Sequence, residues 1–174
     1  MMTRRSIDMA LVAMAVCLWL AASAFAGQPQ QARTDQTFIE KAVVGGLAEV
    51  QLGKMAADMA ANAEVKQFGQ RMVQDHSKAN QELMALVKTK AISVPTALDQ
   101  KHQEEADRLA KLHGAAFDRA YLQHMVKDHE EDVQLFSTQA KQGKDAELKA
   151  FAAKTLPTLE EHLRIVRNLA EKQR

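Results

Sequence analysis

The sequence predicts an all-α domain in which four long helices pair as two hairpins and close into a bundle. Three observations carry that expectation. Apolar residues recur at steps of three and four in each long segment, as in Val65, Phe68, Met72, His76, Ala79, Leu83 and Leu86, which places them on one helical face. No stretch alternates apolar and polar residues as a half-buried strand would. Finally, the chain repeats itself at an offset of 83: Glu49–Val50–Gln51–Leu52 resembles Asp132–Val133–Gln134–Leu135, and Glu64–Val65–Lys66–Gln67–Phe68 resembles Glu147–Leu148–Lys149–Ala150–Phe151.

The first 26 residues read as a secretory signal peptide rather than as part of the fold. Arg4 and Arg5 form a basic start, Ala10 to Ala22 an apolar run, and Ala24–Phe25–Ala26 a small-x-small cleavage site. The run is too short for a good membrane span. Thr3–Arg4–Arg5–Ser6–Ile7 is a degenerate twin-arginine pattern that Asp8 spoils. Residues 27–34 read as a disordered leader containing Pro29, and the bundle domain as residues 35–172. The expected location is the periplasm, with peripheral contact to the envelope open.

Each helix has recognisable ends. The first starts at Asp35 or at the Thr37/Glu40 capping box. It contains Gly45, Gly46 and Gly53, each unfavourable by about 1 kcal/mol relative to Ala, which implies close approach of a neighbour. Asn62 breaks the chain and caps the second helix, which runs to about Lys90 before Pro95. A short charged helix follows from about Asp99 to Leu112, ended by Gly114. The third long helix spans about Ala116 to Lys141 and the fourth about Ala146 to Glu171, separated by Gly143. Pro157 should distort the fourth helix.

Composition narrows the function classes. The chain has 23 Lys+Arg and 22 Asp+Glu; loss of Arg4, Arg5 and Asp8 with the signal leaves 21 of each. A neutral mature chain lacks the basic excess that nucleic acid or an anionic membrane surface would select. The only Cys, Cys17, lies inside the signal, so no disulfide supports the exported domain. About 148 mature residues suffice for a core without one.

Three apolar stripes each contain a histidine. These are His76, His129 (with Leu122, Val126, Val133, Phe136 and Ala140) and His162 (with Leu148, Ala152, Thr155, Leu159, Val166 and Leu169). Glu49 lies 13 residues before Asn62 and His76 lies 14 after it, so both stand about 20 Å from the turn at 1.5 Å per residue. His129 is 14 before Gly143 and His162 is 19 after it, with Pro157 in the interval. Asp132 is the repeat partner of Glu49. Glu49, His76, His129, Asp132 and His162 are thus the candidate metal ligands at mid-bundle, a set suited to iron, zinc, copper or manganese. The di-iron pattern Glu-x-x-His is absent, because Val73 and Leu159 stand three before His76 and His162. Spacing alone favours the plainer reading, a buried polar layer in which each ring is hydrogen-bonded. His102, His113 and His124 stand among charged residues and are expected to be solvated. No nucleophile is evident, and the reading is of a non-enzymatic protein.

The chain also resembles a known family. Ala48–Glu49–Val50–Gln51–Leu52–Gly53, Val65–Lys66–Gln67–Phe68, Met72–Val73–Gln74–Asp75–His76, Phe117–Asp118–Arg119–Ala120–Tyr121–Leu122, Leu156–Pro157–Thr158–Leu159 and His162 are similar to the bacterial exported "domain of unknown function 4142" family. The resemblance covers about Thr37 to Leu169 and implies a ferritin-like four-helix bundle in the periplasm. It implies no activity. Two functions follow as expectations: a non-enzymatic envelope or stress protein, and alternatively a metal-binding or redox protein. An envelope protein or a second copy of the chain stays open as partner, with the charged crossover helix as one docking element.

Overall fold

A computed structural model describes residues 28–173, apart from Ala91 and the side chains of residues 28–33. The expected signal peptide lies outside the described residues. Among the described residues five helices follow one another: α1 (Gln28–Met59), α2 (Ala63–Thr89), α3 (Gln100–Leu109), α4 (Gly114–Gln142) and α5 (Ala146–Lys172). The hairpins α1–α2 and α4–α5 pack on each other through α1 against α4 and α2 against α5, and α3 in the crossover packs on α1 and α4. This is a ferritin-like four-helix bundle with one long crossover.

Local signals explain most boundaries. Asn62 caps α2, its Oδ1 accepting from the backbone N–H groups of Glu64 and Val65, and Asp145 caps α5 in the same way through Glu147 and Leu148. Asp99 caps α3. The helical backbone of α1 begins at Gln28, ahead of the Asp35 boundary and inside the segment expected as a disordered leader. Pro29 is compatible with a first helical turn, and Gln, Ala and Arg are good helix formers. The crossover helix is shorter than expected, and Gly114 opens α4 with φ 58°. Pro157 does not interrupt α5; it removes one backbone donor.

Asp35 has a role that its own helix does not reveal. Its carboxylate accepts from the backbone N–H groups of Lys144 and Asp145 at 3.3 and 3.0 Å and from Gln139 Nε2 at 2.8 Å, tying α1 to the α4–α5 turn. Asp118 of α4 does the same for the α1–α2 turn, accepting from Ala61 and Asn62 at 3.0 and 2.8 Å. Asp35, Lys144 and Asp145 are thus 83 positions from Asp118, Ala61 and Asn62 respectively. The aromatic packing repeats with the same offset: Phe38–Phe151 (6.5 Å, 62°) corresponds to Tyr121–Phe68 (6.3 Å, 64°). The repeat in the sequence is therefore a two-fold in space.

The core divides in two. One cluster gathers Leu52, Phe68, Met72, Leu109, Phe117, Tyr121, Met125 and Val166; the other gathers Phe38, Ile39, Val43, Leu83, Val87, Phe136, Phe151 and Leu159. Gly53 and Gly69 let α1 and α2 nearly touch, since a Cβ on Gly69 would stand 2.6 Å from the Gly53 carbonyl oxygen.

Candidate metal centre

Between the two apolar clusters lies a buried polar layer. His129 and His162 have no exposed side-chain surface, Glu49 has 1% and His76 has 6%. The three imidazoles form a nearly equilateral triangle, with ring centroids 5.3, 5.4 and 5.7 Å apart. One nitrogen from each ring lies within 4.8 Å of the other two. Phe68 closes one side, 6.4 Å from the rings of both His129 and His162.

The outer partners fix two tautomers. His129 Nδ1 donates to the Met125 carbonyl at 3.0 Å, because a carbonyl can only accept. Its Nε2 therefore carries a lone pair. His162 Nε2 donates to Asp75 Oδ2 at 2.8 Å, so its Nδ1 also carries a lone pair. These two nitrogens face each other at 3.4 Å. In neutral rings, two acceptors confront one another with no proton between them. His76 Nδ1 lies 2.6 Å from Glu49 Oε2, while its Nε2 is buried without a hydrogen-bond partner. Glu49 Oε1 is 3.3 Å from His129 Nε2, yet neither Glu49 oxygen receives a well-directed hydrogen bond.

Electrostatics keep the rings neutral. Burial pushes His76 below its ordinary value, against the pull of Asp132, Asp128 and Asp75. Burial also holds His129 well below its ordinary value, reinforced by the other two rings. It takes His162 to about 4 despite the Asp75 hydrogen bond. For Asp75, burial pushes upward, but the hydrogen bonds from His162 and Arg71 prevail and lower it. Glu49 is raised well above the carboxylate range by burial and by Asp128, partly offset by a hydrogen bond with Asp132. Asp132 is raised well above it by burial, Glu49 and Asp128. Neutral imidazole is the form that binds a metal ion.

Glu49, His76, His129 and His162 thus converge as the spacing argument requires. Asp132 stands behind Glu49, coupled carboxyl to carboxyl, and lines a void of about 10 Å³ with Glu49 and His76. Asp75 is the second-layer residue that the candidate set lacks. The order Asp75–His76 carries a signal for it: adjacent helical residues diverge by about 100°, so Asp75 turns from His76 towards α5. His102 and His124 are not solvated as expected, since their side chains are 13% and 16% exposed and face Asp99 at 2.6 Å and Glu105 at 3.3 Å. His113 is exposed.

The donor set fits a metal ion. Ligating imidazoles characteristically have their second nitrogen held by a carboxylate or carbonyl, as His129 and His162 do here. Ligand nitrogens at about 2.0–2.1 Å from one ion lie some 3.3 Å apart in tetrahedral geometry, close to the observed 3.4 Å.

Comparison with known proteins agrees with this architecture. The profile of the family described as "Domain of unknown function (DUF4142)" matches residues 20–169, and the chain belongs to that family. No curated protein matches the chain. Solved structures share the fold. A DUF305 protein from Streptomyces coelicolor is 16% identical with a TM-score of 0.68, covering 80% of this chain and 93% of that one. A DUF305 fragment from Deinococcus radiodurans is 12% identical with a TM-score of 0.71, covering 80% and 96%. CopM in its Cu(II)-bound form is 19% identical with a TM-score of 0.68, covering 80% and 97%.

Proposed function

We propose that this chain is an exported, non-enzymatic metal-binding protein whose centre is His76, His129 and His162, with Glu49 as a fourth donor. The observation that carries this reading is the pair of lone-pair nitrogens facing each other at 3.4 Å inside the buried layer. A polar layer built only for stability would place a donor opposite an acceptor. Glu49 adds to it, being a buried carboxylate with both oxygens poorly partnered.

Among divalent ions we favour Cu(II). Three imidazoles with one carboxylate form a borderline donor set, and such sites bind Cu(II) most strongly of the first-row series. CopM has been solved with Cu(II) and with Ag, which is consistent with a bundle of this shape housing a coinage metal. When bound, the ion supplies a Lewis-acidic or redox-active centre. This chain's own residues hold it, exclude water through Phe68 and fix ring orientation through Met125 and Asp75. The apolar run and Ala24–Phe25–Ala26 support export to the periplasm. Among the described residues, no helix is long and apolar enough to cross a membrane.

The test is metal analysis and Cu(II) titration of the mature protein purified without chelator. One equivalent per chain is expected, lost in His129→Ala and in His162→Ala, with both variants still helical by circular dichroism. Absence of uptake, or uptake that survives both substitutions, overturns the reading and returns the histidines to a structural layer.

A further inference from the structure

The buried centre needs a way in, and a cleft on the bundle surface is separated from it by Asp132 and Glu49. Resting on the metal reading above, we infer that the cleft between α1, α3 and α4 is the loading vestibule through which a divalent cation reaches the histidine triad. This cleft has a volume of about 320 Å³. Its wall carries the carboxylates of Glu40, Asp99, Asp128, Glu131 and Asp132, with His102 among them, against the two cations Lys41 and Lys101. Even leaving out Asp128 and Asp132, whose carboxyls burial raises, Glu40, Asp99 and Glu131 outnumber the two ammonium groups and favour a cation.

The cleft is more than an acidic patch, because one residue of its wall, Asp132, also borders the inner polar layer. Asp132 belongs both to the cleft and to the inner void that Glu49 and His76 line. Beyond it stands Glu49, 1% exposed, with both oxygens lacking well-directed partners. Further along, Glu49 Oε1 is 3.3 Å from His129 Nε2. The order rim, Asp132, Glu49, imidazole is a stepwise exchange of oxygen for nitrogen donors, so the ion need never lose all its ligands at once. Asp128 Oδ2, on the cleft wall, is a further buried oxygen without a hydrogen-bond partner.

Gly45 keeps this passage clear. A Cβ built there would meet a single atom within 4 Å, Asp132 Oδ1 at 3.8 Å, so a larger side chain would extend into the cleft over Asp132. The competing approach is the α2–α5 seam, where Asp75 is 29% exposed beside His162.

Rapid mixing of metal-free protein with Cu(II), followed by chelator-driven release, tests the route. Glu40→Lys with Glu131→Lys reverses two rim charges and should slow loading at least tenfold at low ionic strength, the gap narrowing in high salt. Glu160→Lys with Glu171→Lys makes the same charge change on α5 and should load at the wild-type rate. Gly45→Leu should slow loading and release together, by a similar factor, while one equivalent still binds. That paired slowing marks an obstructed passage, whereas a damaged site would release faster. Thermal melts of each metal-free variant confirm folding. Wild-type loading in the rim and Gly45 variants overturns the vestibule, and equal slowing by both charge-reversed pairs reduces the effect to net charge. A wild-type chain that takes up no Cu(II) instead refutes the metal centre itself.

Discussion

Replacing Glu49 by glutamine should make the metal-free protein more stable and its metal complex weaker. Glu49 is 1% exposed, 2.6 Å from His76 Nδ1 and 3.3 Å from His129 Nε2, and neither oxygen accepts a well-directed hydrogen bond. A buried polar group left in that condition costs roughly 1–3 kcal/mol. The amide keeps an oxygen for His76 and keeps a donor for Asp132 without a titrating proton, at almost unchanged volume. A gain of about 1–3 kcal/mol, at about 2–4 °C per kcal/mol for a domain of this size, raises the melting temperature by some 5 °C. The sign with pH follows from the raised carboxyl. Folded Glu49 holds a proton that the unfolded chain releases above 4.5, so wild-type stability from this group falls as pH rises through that range. The glutamine variant lacks this loss, and its advantage should widen from pH 5 to pH 7. The assay is differential scanning calorimetry with chelator and then with one equivalent of Cu(II). With metal the order should reverse, because ligand binding stabilises by mass action only the protein that binds it. A glutamine variant less stable than wild type in chelator would refute the reasoning, since it would make Glu49 a structural hydrogen-bond partner.

Other expectations follow from the same geometry. Asp118→Ala leaves two backbone donors of the α1–α2 turn unpaired and should cost about 2–4 kcal/mol in urea unfolding; Asp35→Ala should cost a similar amount, and the two should add. In the metal-free protein, the His162 imidazole should show no NMR titration between pH 8 and 5, because its folded value is about 4. Its contribution is full above 6.5 and is lost as pH falls towards 4, roughly 3 kcal/mol in all. Gly69→Ala should destabilise by about 1–3 kcal/mol through its clash with the Gly53 carbonyl oxygen, whereas Gly45→Ala, with open space at its Cβ, should stabilise by about 0.5–1 kcal/mol; thermal melts separate them.

Much of this architecture is legible in the sequence because the deciding interactions are local. Asn62 caps the helix that follows it, and the three-and-four spacing sets which faces are buried. The level of Glu49 with His76 follows from counting residues back to one turn. His129 and His162 differ by five residues from their turn, and the facing nitrogens are evident only in three dimensions. Asp35 reads locally as an N-cap, yet its carboxylate serves a turn more than a hundred residues away, which no local rule finds. The charged surroundings of His102 and His124 suggest solvent in the sequence. In the fold, those neighbours are ion-pair partners that cover the rings. Asp75 reaches α5 rather than its sequence neighbour because helical geometry turns it there.

The two-fold that relates the hairpins also has an unfurnished half. Shifting each imidazole by 83 positions leads from His76 to Leu159, from His129 to Gly46 and from His162 to Ala79. Those three residues line the small void beside Glu49 and His76, together with Asp132, the twin of Glu49. The carboxylates obey the symmetry and the imidazoles break it. A chain of two like halves offers two equivalent places for a ligand set, and this one fills a single place. The histidine cluster is therefore displaced from the axis that built it, and the twin position leaves space beside the very carboxylates that the histidine-bearing side shares.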